Sequence, residues 1–272
     1  MHDAVARAFA EDLGPLGDLT AALVAPEAKV AAAIRSRANG VVAGTACAAQ
    51  TFALVDPAIT VTWHLADGDT VGPGDVIATV TGPLASVLTA ERTALNFLCH
   101  LSGVASLTRR FVDTVTATNP ACRVWDTRKT TPGLRALEKA AVRAGGGVNH
   151  RGSLSDFVLV KDNHLAGLTI TEAVRRAHDR WPARAVEVEC DRLEQVTEAI
   201  VAGATLVLCD NMTPEQVARS VALAAGRALI EVSGGVTLDT IAGYAAAGAD
   251  LISTSVITQS APALDIGLDL VP

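Results

Sequence analysis

From about residue 121 onward, short apolar runs alternate with longer stretches in which apolar residues recur every three or four positions. The runs are CRVWD (122–126), FVLVK (157–161), AVEVE (185–189), TLVLC (205–209), ALIEV (228–232) and DLIST (250–254). Runs this short, rich in Val, Leu and Ile, fit strands buried on both faces, and the intervening pattern predicts helices opening near Pro132, Thr169, Asp191, Thr213 and Thr237. Thr131-Pro132 and Thr213-Pro214 are the clearest helix starts. A Thr hydroxyl there can accept from first-turn amides, and Pro at the first helical position gives up no hydrogen bond. Six strand-then-helix units in series imply a parallel sheet covered by helices, most economically a closed or nearly closed barrel.

The earlier part of the chain has a different rhythm. ITVTWHLADGDTVGPGDVIATVTGP (59–83) alternates apolar and polar residues between turn signals, like the strands of a lipoyl-type barrel, but no Lys sits at a hairpin tip where a cofactor could be attached. It reads as scaffold. Leu84 to Thr118 predicts a long helix with an apolar stripe at Leu84, Val87, Leu88, Leu95, Leu98 and Leu101 and a break at Gly103. Arg92 borders that stripe and, on this pattern alone, is an ordinary helix arginine. The change of rhythm divides the chain into residues 1–118 and 119–272.

Composition narrows the function classes. Half of the 272 residues are apolar and only 3% aromatic, which suits closely packed helices on parallel strands. The net charge of −7 argues against a nucleic-acid surface, and so few aromatics leave no platform for stacked bases. No segment pairs a basic start with an apolar core, and no apolar run is long enough to span a bilayer, so a soluble cytoplasmic protein is expected. Cys47, Cys99, Cys122, Cys190 and Cys209 show neither a CxxC nor a zinc spacing. Cys122, Cys190 and Cys209 fall in or beside strand-like runs and read as small core residues.

Charge is distributed unevenly. Between Arg123 and His164 eight Lys or Arg face four acids, a local balance of +4 in an acidic chain. Like charges gathered on short loops beside apolar strands repel and lose hydration, a cost that an anionic ligand offsets. Arg135, Lys139 and Arg143, with Glu138 nearby, are expected on a solvated helix face. Arg128, Lys129, His150, Arg151 and Lys161 fall outside that helix. In α/β barrels the ligand sits at the C-terminal ends of the strands. Here those ends carry Thr127-Arg128-Lys129, Lys161, Glu189, Asp210, Ser233-Gly234-Gly235 and Ser253-Thr254-Ser255-Val256. A barrel held together by packing alone needs no such convergence of polar groups.

These residues lie in longer motifs. EDLGPLGDLT, ERTALNFLCHLSGVAS, DTRKTTPGLRALEKAAVRAGGGVNHR, VKDNH, EVE, LCDNM, EVSGG and LDIGLDL together resemble the quinolinate phosphoribosyltransferase family over essentially the whole chain. The resemblance implies an α/β protein with an N-terminal α/β sandwich domain and an incomplete, open α/β barrel of about seven strands, of which six are read directly here. It implies transfer of phosphoribosyl from phosphoribosyl pyrophosphate to quinolinate with decarboxylation, giving nicotinate mononucleotide for NAD biosynthesis. It also implies a homodimer in which Arg92 reaches into the partner's site, and magnesium accompanying the donor's pyrophosphate.

By the same resemblance Arg92, Arg128, His150, Arg151 and Lys161 hold quinolinate, while Lys129 lies nearer the sugar donor. Arginine's planar fork can bond a ring carboxylate at two points, where lysine acts as a point charge. Glu189 and Asp210 make sense as partners of the ribose hydroxyls, of magnesium, or of positive charge developing on the ribose. Their alternative is pairing with Lys161 or Arg151. Ser233-Gly234-Gly235 and the turn through Thr254, Ser255 and Val256 are expected to meet the 5'-phosphate with hydroxyls and backbone N–H groups. Many relatives carry Val-Gly-Ala where this chain has Thr254-Ser255-Val256, so close backbone approach is achieved differently here, if at all.

Three rival readings follow from the residues. A strand-end Lys161 suits a Schiff-base aldolase. The first domain could be a lipoyl-like carrier, although it lacks the attachment lysine. A paralogous phosphoribosyltransferase could act on another acid.

Overall fold

The computed structural model describes residues 1–271. The chain forms two compact units. One comprises Met1–Arg109, Thr130–Gly146 and the segment from Ile257; the other comprises Arg110–Lys129 and Gly147–Val256.

The first unit contains α1 (His2–Leu13), β1 (Lys29–Ser36), β2 (Gly40–Val41), α2 (Thr45–Val55), β3 (Thr60–Trp63), β4 (Thr70–Val71), β5 (Val76–Pro83) and most of α3 (Leu84–Thr118). Its main sheet is antiparallel, in the order β12-β1-β5-β3, where β12 is Ile266–Leu270. One face of that sheet closes over Ile34, Phe52, Ile77, Val80, Val87, Ala94, Leu95 and Leu98. The last four lie at helical spacing on α3, so a single stripe of that helix seals the core. Leu84 and Leu88, also expected in the stripe, are only half-buried.

α3 runs unbroken for 35 residues, correcting the expected break at Gly103. The glycine is needed for proximity: a methyl group there would overlap the Pro262 carbonyl, where the returning tail crosses the helix. Such contact gains enough packing to offset the flexibility glycine adds to an unfolded chain.

α4 (Arg135–Ala144) begins three residues later than its Thr-Pro signal suggests. Thr131 does not cap it: Gly133 sits at φ 79°, and the Thr131 N–H donates instead to Glu138 Oε2 at 3.1 Å. Glu138 and Lys139, expected on a solvated face, are both buried. Glu138 Oε1 accepts from His100 Nε2 at 2.8 Å, so the acid is an internal tie between α3 and α4. Arg135 is half-buried and Arg143 exposed.

The second unit is the strand-and-helix repeat. β6 (Arg123–Trp125), β7 (Val158–Val160), β8 (Val186–Cys190), β9 (Leu206–Asp210), β10 (Leu229–Ser233) and β11 (Leu251–Ser253) coincide with the six apolar runs. They form one parallel sheet in the order β6-β11-β10-β9-β8-β7, covered by α5 (Ile170–Arg180), α6 (Leu193–Ala202), α7 (Pro214–Ala224) and α8 (Ile241–Ala246). The sheet is open. Beyond β6 the seventh position is filled by a single parallel bridge, Trp125 to Val148.

Thr169 and Thr213 cap α5 and α7 through reciprocal boxes with Glu172 and Gln216, and Pro214 occupies the first turn of α7. Cys47, Cys122, Cys190 and Cys209 are buried, and burial pushes all four thiols up, those of Cys122 and Cys209 to about 11. Among the described residues no helix is long and apolar enough to cross a membrane.

Candidate active site

Parallel strands point all their C-terminal ends the same way, so the residues just past those ends gather at one edge of the second unit. They line a cavity of about 560 Å³, a size that fits a small-molecule site. Its walls include Thr127, Arg128, Lys129, His150, Arg151, Lys161, Glu189, Asp210, Ser233, Gly234 and Gly235, and hence every strand-end group singled out in the sequence up to β10. At the end of β11 it is Ser253 that lines the cavity; Thr254, Ser255 and Val256 do not. Thr254 is buried, its Oγ1 donating to the Val236 carbonyl at 3.2 Å and accepting from the Val256 N–H at 3.3 Å.

Two features anchor the basic side. Asp126, fully buried at the end of β6, accepts from the His150 N–H at 2.9 Å and from Asn149 Nδ2 at 2.6 Å. It thereby pins the NHR segment beside the DTRKT segment. The His150 ring is clamped edge-on by Trp125, with ring centres 5.1 Å apart, and by Phe157 at 5.0 Å.

Arg151 is 8% exposed, its Nε is buried without a partner, and its guanidinium reaches the Phe157 carbonyl at 3.4 Å. Burial first, and then the charge of Arg128, push Arg151 below the usual guanidinium range. A cation held in this way carries an electrostatic cost that an anion in the cavity offsets.

The opposite wall is acidic. Lys161 pairs directly with Glu189, the pairing set out above as the alternative role for that glutamate. Asp210 Oδ2 accepts from Asn211 Nδ2 at 2.7 Å. Asn211, with φ 55°, packs so closely against Gly234 that a Cβ there would overlap its side chain. The β9 and β10 loops are therefore locked together, and Gly234 is irreplaceable at that contact.

Arg92 does not line this cavity. It is exposed on α3 and borders a separate small pocket of the first unit with Asp12, Asp18 and Thr89.

Asn211, Asp126, Glu187 and Glu231 were not singled out from the sequence. The signal for the glutamates was available: in VEVE and LIEV an acid interrupts an otherwise apolar buried strand, and the two-residue period places Glu187 on the same face as Glu189.

Comparisons with known proteins agree along the whole chain. Residues 104–269 match the family model described as quinolinate phosphoribosyl transferase, C-terminal domain, and residues 18–102 match its N-terminal domain. A Bacillus subtilis protein named probable nicotinate-nucleotide pyrophosphorylase, carboxylating, is 40% identical over 264 residues, covering 96% of this chain and 90% of that one. A Mycobacterium leprae protein named nicotinate-nucleotide pyrophosphorylase, carboxylating, is 39% identical over 99% of this chain and 96% of its own. Among solved structures, the nicotinate-nucleotide pyrophosphorylase from Francisella tularensis superposes with a TM-score of 0.95 at 36% identity, covering 99% of this chain and 95% of that one.

Proposed function

The chain belongs to the quinolinate phosphoribosyltransferase family, and from that premise we propose how its cavity divides the work. The enzyme is a pentosyltransferase that moves phosphoribosyl from phosphoribosyl pyrophosphate to quinolinate with decarboxylation, giving nicotinate mononucleotide, pyrophosphate and carbon dioxide in de novo NAD biosynthesis. Quinolinate brings two carboxylates and the donor a phosphate and a pyrophosphate, together on the order of six negative charges. Arg128, Arg151, His150 and Lys161 take the pyridine dicarboxylate, while Lys129 and the Ser233-Gly234-Gly235 turn take the donor's phosphates. Arg92 is supplied by the other copy in a homodimer, a role supported by its exposure and its place outside its own chain's cavity. The enzyme works in the cytoplasm. The observation that carries this assignment is the buried Arg151 guanidinium beside Arg128, with an Nε that no protein group satisfies.

The pyridine nitrogen attacks the anomeric carbon while the bond to pyrophosphate breaks, its electron pair leaving on the pyrophosphate oxygen. No protein nucleophile is needed. The residues hold two anions at reacting distance and offset charge as it shifts. The new ring cation then accepts the electron pair left when the adjacent carboxylate departs as carbon dioxide, and a proton takes that ring position. Glu189 and Asp210 face the ribose, where positive charge develops.

Magnesium fits the same two residues. They offer hard oxygen donors on adjacent strands, and two carboxylates suit an ion that keeps water and phosphate oxygens as most of its shell. When bound, it neutralises charge on the leaving pyrophosphate.

The test is to mix purified protein with phosphoribosyl pyrophosphate, magnesium and either quinolinate or nicotinate, and to measure nucleotide and carbon dioxide. Product from quinolinate and little from nicotinate is expected. Preference for nicotinate would overturn the dicarboxylate assignment, and carbon dioxide released from quinolinate without the sugar donor would overturn the order of steps.

A further inference from the structure

Two glutamates on the strands that floor the cavity take no part in the steps above. Glu187 on β8 and Glu231 on β10 are fully buried. Glu187 Oε2 lies 3.2 Å from His150 Nε2, and Glu231 Oε2 lies 3.7 Å from the same nitrogen. No other donor among the described residues reaches Glu187 Oε1 or either oxygen of Glu231, and the two carboxyl groups, each with an oxygen within 4.8 Å of the other, are left to each other. Two buried acids beneath a site for a dianion have the wrong sign for binding it, and unpaired buried carboxylates are costly. Their use must lie in what they hold.

We propose that Glu187 and Glu231 are positioning residues that fix the His150 ring from below by holding a hydrogen on Nε2, and so set how the rest of that ring meets quinolinate. The proposal rests on the assignment of His150 to quinolinate binding. Glu187 accepts from the Nε2–H, while Trp125 and Phe157 confine the ring from the sides. Glu231 serves as a neutral acid. Burial, followed by Glu187 beside it, pushes its carboxyl well above the ordinary range, so it can donate its hydrogen to Glu187 and steady the acceptor. The groups around the pair are His150 and Ser253 at Glu231, with Arg151, Lys161 and Glu189 acting on Glu187. A neutral Glu231 also removes the charge that would otherwise oppose the ligand.

The experiment is a double-mutant cycle read in the KM for quinolinate at saturating donor, with the KM for phosphoribosyl pyrophosphate and the melting temperature measured in parallel. His150→Ala should raise the quinolinate KM alone, by about tenfold for one lost charge-assisted contact. If it does not, the assignment of His150 falls, and that failure is separate from the one below. Glu231→Gln, which keeps a hydrogen to donate, should shift the quinolinate KM by less than about threefold. Glu231→Ala and Glu187→Gln should each raise it by about tenfold, yet add nothing in the His150→Ala background. Should Glu231→Ala fail to fold, Glu187→Gln carries the same comparison. Independent, multiplying effects in the double variants would overturn the proposal. So would a divalent ion found at one per chain in the purified wild type and lost in Glu231→Gln, because the cluster would then be a metal site.

Discussion

Replacing Arg151 by Met should separate binding from stability in one substitution. Methionine roughly matches the length of the arginine stem, so the contact with Phe157 is kept while the guanidinium is lost. In the folded protein that guanidinium is 8% exposed, has a long 3.4 Å bond to the Phe157 carbonyl, an unpartnered Nε, and Arg128 as a like-charged neighbour. Its attraction to Glu187 works the other way, but Glu187 can take a proton once the cation is gone.

Removing a buried cation held this poorly should therefore leave stability unchanged or raise it by about 1 kcal/mol, as buried charges replaced by apolar groups often do. For a chain of this size that corresponds to roughly 2–4 °C in melting temperature. Binding should move in the opposite direction. A charged hydrogen-bond donor to a carboxylate contributes about 1.5–3 kcal/mol, so the quinolinate KM should rise by about 10- to 150-fold, with the donor's KM little changed. Steady-state kinetics with each substrate varied in turn, beside a thermal melt, gives both numbers. A quinolinate KM within threefold of wild type, or a melting temperature lowered by more than 5 °C, would refute the reasoning that this cation is maintained for a ligand.

Three further outcomes can be checked. Glu138→Gln should cost about 1–3 kcal/mol near neutral pH through loss of the charged ties to His100 and Thr131. Burial opposes ionisation of Glu138, but the His100 and Thr131 bonds outweigh it and hold the carboxyl below its ordinary 4.5, so its contribution is complete above that pH and lost as pH falls through the lowered value. The gap between wild type and variant in denaturant melts should therefore be flat from pH 6 to 8 and close in acid; a gap that widens in acid would contradict the assignment. Gly103→Ala should destabilise by about 1–3 kcal/mol, because the Pro262 carbonyl must move, and an unchanged denaturation midpoint would show that the crossing is loose. Arg92→Ala and Lys161→Ala should each be inactive while remaining folded, and mixing them should restore up to about a quarter of wild-type activity, since half the dimers are mixed and each has one intact site. Absence of rescue with subunit exchange confirmed would count against a shared site.

The strand-end chemistry was legible because parallel strands convert sequence position directly into spatial position. Once the six apolar runs are recognised, the residues at and just after their ends converge, and Arg128, Lys161, Glu189 and Asp210 line one cavity; Arg151, which follows none of the runs, stood out by the local excess of positive charge and lines it too. Thr213 and Thr169 were readable for a local reason: a cap and its box lie within four residues of one another. What failed depended on partners distant in sequence. Nothing near Glu138 announces that His100 will bury it, and nothing near Gly103 announces Pro262. Thr131 was misread because Gly133, at φ 79°, takes the chain out of the helical path just after Pro132, so that Leu134 and not Thr131 stands at the helix start. Arg92 is the limiting case, since its proposed partner is not on its own chain.

The first sheet carries a consequence for synthesis. β1 pairs on one side with β5 and on the other with β12, more than 200 residues later. While the chain is being made, that second edge of β1 has nothing to bond until its partner emerges from the ribosome more than 200 residues later. An open strand edge is a template for any other extended segment nearby. A nascent chain stalled before residue 266 would thus expose an adhesive border, and chaperone dependence should track the time spent between the emergence of β1 and of β12 rather than the stability of the finished fold.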